Sequence, residues 1–224
     1  VLVRPWLEGY PLIERVAGPE GEALLREAAG WLVSLHRATR RQQGFGAADW
    51  AAYVQQPWEE LRRLLPLSGA FEAMVAARLP RLGSLRDRDL PRVFAHGDYE
   101  FRNLLRTPSG DLKVIDWELA GPQGLPLGDL VHLLVAFINN RRGLGYGAAA
   151  RALFLDKGAT RALGDAWLER YRQDLDLPED LLRPLVAVAL LRDAAQWARR
   201  CDHDLVTDWW TPHLMSLVDL LDAC

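Results

Sequence analysis

Lysine is nearly missing from this chain. Of its 27 basic residues only Lys113 and Lys157 are lysines, and none precedes position 113. Cysteine is scarce too. Cys201 and Cys224 stand alone, without metal-type spacing, and read as thiols in a reducing cytoplasm. No apolar run reaches the length of a membrane span. The best, residues 185–191, is short and ends at Arg192 and Asp193. No secretory leader is visible. Surplus positive charge is also lacking: the formal charge is -3 and the pI about 6.0. That balance implies no general affinity for polyanions and makes nucleic acid an unexpected partner. An initial Met is absent as well. Val1 opens a segment that already reads as folded protein, so a fragment of a longer chain is expected. What is present is 224 residues, half of them apolar, enough for one large core or two modest ones.

The hydrophobic spacing is mostly helical. Residues 1–9 are apolar, turn at Glu8 and Gly9, and read as a strand or extended connector. Leu24, Ala28, Trp31 and Leu35 recur at spacings of three and four, the mark of one helix face. Further helical zones are expected over 49–65, with Pro57 interrupting, and over 71–79. Residues 84–91 read as a charged loop. The period then changes. Residues 92–95 predict a short buried strand, and 96–103 a polar loop. Residues 103–107 and 112–117, joined across Pro108, Ser109, Gly110 and Asp111, predict a β-hairpin. Residues 121–128, rich in Gly and Pro, read as loop. Helices are expected over 129–140, 146–155, 160–175, 181–200 and 208–221. The fold class is therefore α+β, mostly helical, with a small β element near the middle.

That middle carries the chemistry. His96-Gly97-Asp98-Tyr99-Glu100-Phe101-Arg102-Asn103 is followed by Val114-Ile115-Asp116-Trp117-Glu118. Asp98 sits in a loop after a buried strand, Asn103 at the start of the hairpin and Asp116 at its far end. A hairpin brings its two ends together, and the loop can fold Asp98 back toward them. The expected result is two carboxylates and an amide around one cavity. Oxygen donors of that kind suit Mg²⁺, which takes one or two carboxylates together with phosphate oxygens and water. Phosphoryl transfer needs such a metal site and a separate carboxylate to orient the acceptor hydroxyl and take its proton. On this reading Asn103 and Asp116 hold metal and Asp98 is the base.

The ordered set resembles the kinase signature in which a catalytic Asp precedes a metal-binding Asn by five residues, with a second metal Asp beyond. In the form His-Gly-Asp with a downstream Ile-Asp-Trp-Glu, it is similar to the aminoglycoside phosphotransferase and choline kinase family. Leu32-Val33-Ser34-Leu35-His36 resembles that family's helix ending in Leu-His. Gly121, Pro126, Asp129 and Leu130 resemble its post-metal loop. The resemblance spans about residues 1–135. It implies the C-terminal lobe of a protein-kinase-like fold, residues 10–224, with a catalytic loop over 94–104 and a metal loop over 114–130. It makes residues 1–9 the hinge, where the backbone at Val3, Arg4 and Pro5 would meet the adenine of ATP, GTP not being excluded. It also implies a partner that the chain lacks: an N-terminal lobe carrying a phosphate-covering loop and a strand lysine. The acceptor would be a small hydroxylated molecule such as a sugar, amino alcohol or aminoglycoside, with a lean toward choline-type or general metabolite kinases.

Several residues keep two readings. His96 is a second candidate base or a brace of the loop, and the resemblance favours the brace. His36 and His132 fall on apolar helix faces and read as satisfied core or loop-bracing histidines. Asp129 is an N-cap, a tie for the catalytic loop, or both. Arg102 faces a phosphate or solvent. Glu118, two residues past Asp116, shares its side if strand alternation holds; it touches a second metal or a basic group on the acceptor, or it pairs with an arginine. Trp197, Trp209 and Trp210 form a wall for a cationic acceptor or pack helices. Asp202, Asp204 and Asp208 line the acceptor pocket or a solvated loop. Two other functions use the same residues: a non-catalytic kinase-like binding module, and a metal-dependent phosphoester hydrolase.

Overall fold

The computed structural model describes residues 8–200 and 207–224. Val3, Arg4, Pro5, Cys201, Asp202 and Asp204 lie outside them, as do the side chains of Asp208, Trp209 and Trp210. The architecture is α+β and mostly helical, 65% of it helix.

Helix α1 (Gly21–Thr39) buries Leu24, Leu25, Ala28, Ala29, Leu32 and His36 along one stripe. Leu24 and Ala28 of the predicted face are buried, whereas Trp31 and Leu35 are half-buried, because the stripe is turned toward Leu25, Ala29 and Leu32. Helix α2 (Ala47–Trp50) runs through a π-helical turn at Ala51–Gln55 into α3 (Gln56–Leu64). Pro57 does not break this stretch. It sits in the first turn of α3, directly after the π-helical turn. Helix α4 (Gly69–Arg78) starts at Ser68, whose hydroxyl accepts the Phe71 N–H at 3.2 Å.

Two helices form the centre. In α5 (Gly128–Arg142) every residue from Asp129 to Ile138 is buried. In α8 (Leu182–Arg200) an unbroken run from Pro184 to Leu191 is buried. A helix apolar all round belongs inside a large core, and α5 packs against α1, α6 (Tyr146–Phe154) and α8. Leu130, Leu133, Leu134 and Phe137 are at most 1% exposed, and each such side chain contributes about 1.5–3 kcal/mol of transfer free energy. Helices α7 (Ala159–Leu175) and α9 (Thr207–Asp222) complete the bundle around α6. No described helix is long and apolar enough to cross a membrane.

Two small antiparallel sheets carry the loops. One has the order β1 (Tyr10–Pro11), β4 (Leu104–Arg106), β5 (Leu112–Val114). Leu104 faces Val114 and Arg106 faces Leu112, so the expected hairpin is present. It is shorter than expected, because β5 ends before Asp116. The other sheet has the order β2 (Arg41–Gly44), β3 (Asp89–Ala95), β6 (Gly121–Gly124). Neither β2 nor β6 was expected. Residues 121–124 read as loop because Gly and Pro have poor strand propensity. Here glycine is what lets the strand close: a Cβ on Gly124 would stand 2.3 Å from the Ala95 Cβ.

Gly124→Ala should therefore lower the unfolding free energy by about 1–3 kcal/mol through overpacking against β3. Urea denaturation measures this, and an unchanged midpoint would show that β6 is not closed on β3 as described.

Candidate active site

The loop from His96 to Asn103 leaves the end of β3 and enters a 3-10 turn at Phe101–Asn103. Its first residues are held from below by one carboxylate. Asp129, in the first turn of α5, accepts the His96 N–H at 2.7 Å and the Gly97 N–H at 2.9 Å. His36 Nε2 stands 3.4 Å from the same carboxylate, and His36 Nδ1 lies 2.6 Å from the Tyr171 hydroxyl. Burial alone would raise the Asp129 carboxyl, but His36 and the two backbone N–H groups hold it below the ordinary range. Asp129 is thus the tie across the loop. It is not the N-cap of α5, a position taken by Leu127. Gly97 adopts φ +83°, and a Cβ there would stand 2.7 Å from the Leu119 carbonyl oxygen. The loop needs glycine at that point both for its backbone angle and for space.

His96 sews the loop to the hairpin. Its Nε2 donates to the Ile115 carbonyl at 2.9 Å, and its Nδ1 accepts the Asp98 N–H at 3.3 Å. Both ring nitrogens are engaged and the residue is fully buried. The geometry therefore fits the brace and leaves no ring nitrogen for proton transfer. Ile115 is also tied by its N–H to the Asn103 carbonyl at 3.0 Å. The residue just before Asp116 is thus bonded to both His96 and Asn103. Asn103 Nδ2 donates to the Asp98 carbonyl oxygen at 2.8 Å and lies 3.4 Å from Asp98 Oδ2. The structure brings Asp98 into contact with Asn103, and places Asp116 one residue from an Asn103 backbone bond.

Asp116 is exposed, adopts φ +62° and has no side-chain partner among the described residues. A non-glycine residue rarely takes that conformation, and Asp tolerates it better than most. Glu118 lies in a turn beyond β5, so the strand-alternation argument for it fails. Its contact is ionic, with Arg200 Nη2 at 3.7 Å from Oε1. Arg102 turns onto Glu100, at 2.9 and 3.3 Å, with its side chain largely exposed. The Trp197 ring packs against Tyr146, with centroids 6.2 Å apart.

Asp98 has partners that the motif does not reveal. His132 Nε2 stands 3.4 Å from Oδ1, a Coulombic contact too poorly aligned for a directed hydrogen bond. Arg200 Nη1 lies 3.2 Å from Oδ2. Burial raises the Asp98 carboxyl, but His132 and Arg200 outweigh it and bring it down to about 2. His132 is itself paired with Asp193, Nδ1 to Oδ2 at 3.1 Å, and Tyr146 donates its hydroxyl to the same oxygen. Burial lowers the His132 pKa, while Asp193, Asp98 and Glu100 more than reverse this and hold it well above the ordinary value. Gln196 reaches the Gly97 carbonyl at 3.0 Å. Asp193, Gln196 and Arg200 share one face of α8 at helical spacing, so α8 gives the loop a second brace beside that of Asp129.

Among the described residues two sets could take a divalent cation. Asn103 and Asp116 offer an amide and a free carboxylate. Because Asn103 commits its Nδ2 to Asp98, its amide oxygen is the end left for a cation. Asp98, Glu100 and His132 also place one ligand atom each within 4.8 Å of one another. That second set suits a cation poorly, since His132 is held protonated and Glu100 is engaged by Arg102. The first is a hard-oxygen pair of the kind Mg²⁺ accepts.

A profile described as the Phosphotransferase enzyme family matches residues 1–167. The chain belongs to the Phosphotransferase enzyme family. Similar folds occur among the solved structures. A glucosamine kinase (crystal form B) is 21% identical with a TM-score of 0.53, the match covering 98% of this chain and 60% of that one. A glucosamine kinase in complex with glucosamine, ADP and inorganic phosphate is 20% identical with a TM-score of 0.52, covering 98% and 59%. Choline kinase LicA from Streptococcus pneumoniae is 16% identical with a TM-score of 0.55, covering 92% and 66%. At these identities the likeness is one of fold. The chain spans about 60% of the glucosamine kinases it resembles. No curated protein matches it in sequence. Membership in this family accords with the order His96, Asp98, Asn103, Asp116.

The buried His132 cation gives a pH signature. Its folded-state pKa is raised, so its contribution is full below about pH 6.5 and is lost as pH rises through the folded value. Melting temperature should fall as pH rises above about 6.5, and His132→Gln should flatten that slope. An equal slope in the variant would contradict a protonated His132.

Proposed function

We propose that this chain is the C-terminal lobe, residues 10–224, of a small-molecule kinase that transfers the γ-phosphoryl group of a nucleotide to a hydroxyl. The observation that supports the reading is the contact of Asn103 with Asp98, with Asp116 one residue beyond a backbone bond to Asn103.

In this reading Asn103 and Asp116 hold Mg²⁺, which when bound neutralises charge on the phosphate oxygens. Asp98 orients the acceptor hydroxyl through its carboxylate. A carboxyl with a pKa of about 2 is a weak base toward an alcohol. It takes the proton only late, when the bond to phosphorus has made that proton acidic. Its main work is therefore orientation, and remaining ionised at any physiological pH suits that. His96 and Asp129 act through the loop by fixing where Asp98 stands.

The hinge belongs to residues 1–9, with the backbone of Val3, Arg4 and Pro5 meeting the base of ATP or GTP. The remaining nucleotide contacts belong to an upstream lobe. The solved kinases extend well beyond the matched portion, and no lysine here precedes Lys113. The acceptor class is a hydroxylated metabolite, a sugar or an amino alcohol, a choice supported by glucosamine and choline as substrates named for kinases of this fold. Such an enzyme would work in the cytoplasm, where nucleotide is abundant.

Asp98→Asn, made in the protein carrying its upstream lobe, should lower turnover by about 10²–10⁴-fold in a protein that still folds, with a lower melting temperature because His132 and Arg200 lose their partner. Turnover at the wild-type rate would remove Asp98 from the chemistry. The present chain alone should show negligible transfer to any acceptor. Sustained phosphate release without an acceptor would instead favour a hydrolase.

A further inference from the structure

Phosphoryl transfer benefits from a cation beside the transferring group, in addition to the metal. The catalytic loop does not supply one of its own. Arg102 spends its guanidinium on Glu100. His132 is buried at 3% exposure and held between Asp98 and Asp193, so it reaches the base from the interior. Of the arginines toward the end of α8, Arg192 lies over the Tyr53 ring and Arg199 is bound to Glu60. Arg200 is different. Its side chain is 37% exposed and reaches Asp98 Oδ2 at 3.2 Å.

Its other contact is weak. Glu118 Oε1 stands 3.7 Å away, and that side chain is 69% exposed. A guanidinium has five donors in a rigid fork, matched to two oxygens of one phosphate. Among the described residues Arg200 has only Asp98 at hydrogen-bonding distance, so most of this fork is free. Asn103 also faces Asp98 Oδ2, and Ile115 ties Asn103 to the strand end that carries Asp116. Arg200 and Asn103 thus meet the same Asp98 oxygen, which sets the half-exposed guanidinium beside the Asn103 end of the proposed metal pair.

We infer that Arg200, delivered by α8, is a catalytic cation that binds the transferring phosphoryl group while its contact with Asp98 fixes the base. This rests on the kinase reading above. The acceptor oxygen forms the new bond to phosphorus as the bond between phosphorus and the bridging β,γ-oxygen breaks. The nucleoside diphosphate leaves with that electron pair, and the hydroxyl proton passes to Asp98. Arg200 donates hydrogen bonds to phosphoryl oxygens as their charge shifts. Glu118 holds the guanidinium before the nucleotide arrives and is exchanged for phosphate oxygens.

The test uses the protein with its upstream lobe, measuring kcat and KM for wild type, Arg200→Ala and Arg200→Lys, with melting temperature as the check on folding. The expected result is a kcat lower by roughly 10²-fold or more in Arg200→Ala, the loss typical of a removed transition-state donor. The acceptor KM should change little. Arg200→Lys should recover part of the loss, and millimolar guanidinium should partly rescue Arg200→Ala. Unchanged kcat would make Arg200 a surface ion pair and overturn the inference. A raised kcat would make it a plug over Asp98 and overturn it equally. An inactive wild-type protein would remove the kinase reading and this inference with it, whereas an active wild type with undiminished Arg200→Ala removes this inference alone.

Discussion

The loop from His96 to Asn103 hangs from the carboxylate of Asp129. Two consecutive backbone N–H groups, those of His96 and Gly97, point into it, and the His36 ring lies against its side. Groups so deeply buried are costly unless paired, so the loop has little freedom to start elsewhere. Once that start is fixed, His96 faces Ile115 and Asp98 falls beside Asn103. The proposed base and the proposed metal pair are therefore placed from a single origin. Gly97 is the geometric condition for this, because a side chain there would strike Leu119.

The loop has a second support, made of charge instead of backbone bonds. Asp193 and Tyr146 hold His132, and His132 and Arg200 together hold Asp98. A buried ion network of this kind is weak evidence for stability, since desolvation offsets much of the attraction. Its effect is better sought in orientation. Asp98 is contacted on both carboxylate oxygens by groups from two different helices, α5 and α8. A carboxylate so constrained can present its remaining lone pairs in few directions, which is what orienting a hydroxyl requires.

Much of this was legible in the residues. Part of the stripe of α1, the five helices from α5 to α9, the hairpin and the juxtaposition of Asp98 with Asn103 follow from spacing and motif. Family membership followed from the same residues. The strands β2 and β6 were not legible, because Arg41–Gly44 is fully exposed and Gly121–Gly124 has a loop's composition. Their pairing with β3 is decided by tertiary contact, which outweighs local propensity. Glu118 was misplaced because β5 ends at Val114, which voids an alternation argument carried past the strand. The α8 support was missed because helix periodicity reports which face is buried and not what it meets. A signal was there: Asp193 interrupts an otherwise apolar face, and Gln196 and Arg200 follow at helical spacing.

The central claim is that Asn103 and Asp116, and not the neighbouring Asp98, Glu100 and His132, form the cation site. The most direct measurement substitutes Mn²⁺ for Mg²⁺ in the protein with its upstream lobe and a bound non-hydrolysable nucleotide, and follows paramagnetic broadening of backbone amide signals. The account predicts broadening strongest at Asn103 and Asp116. Broadening centred on Glu100 and His132, with Asp116 sharp, would contradict it.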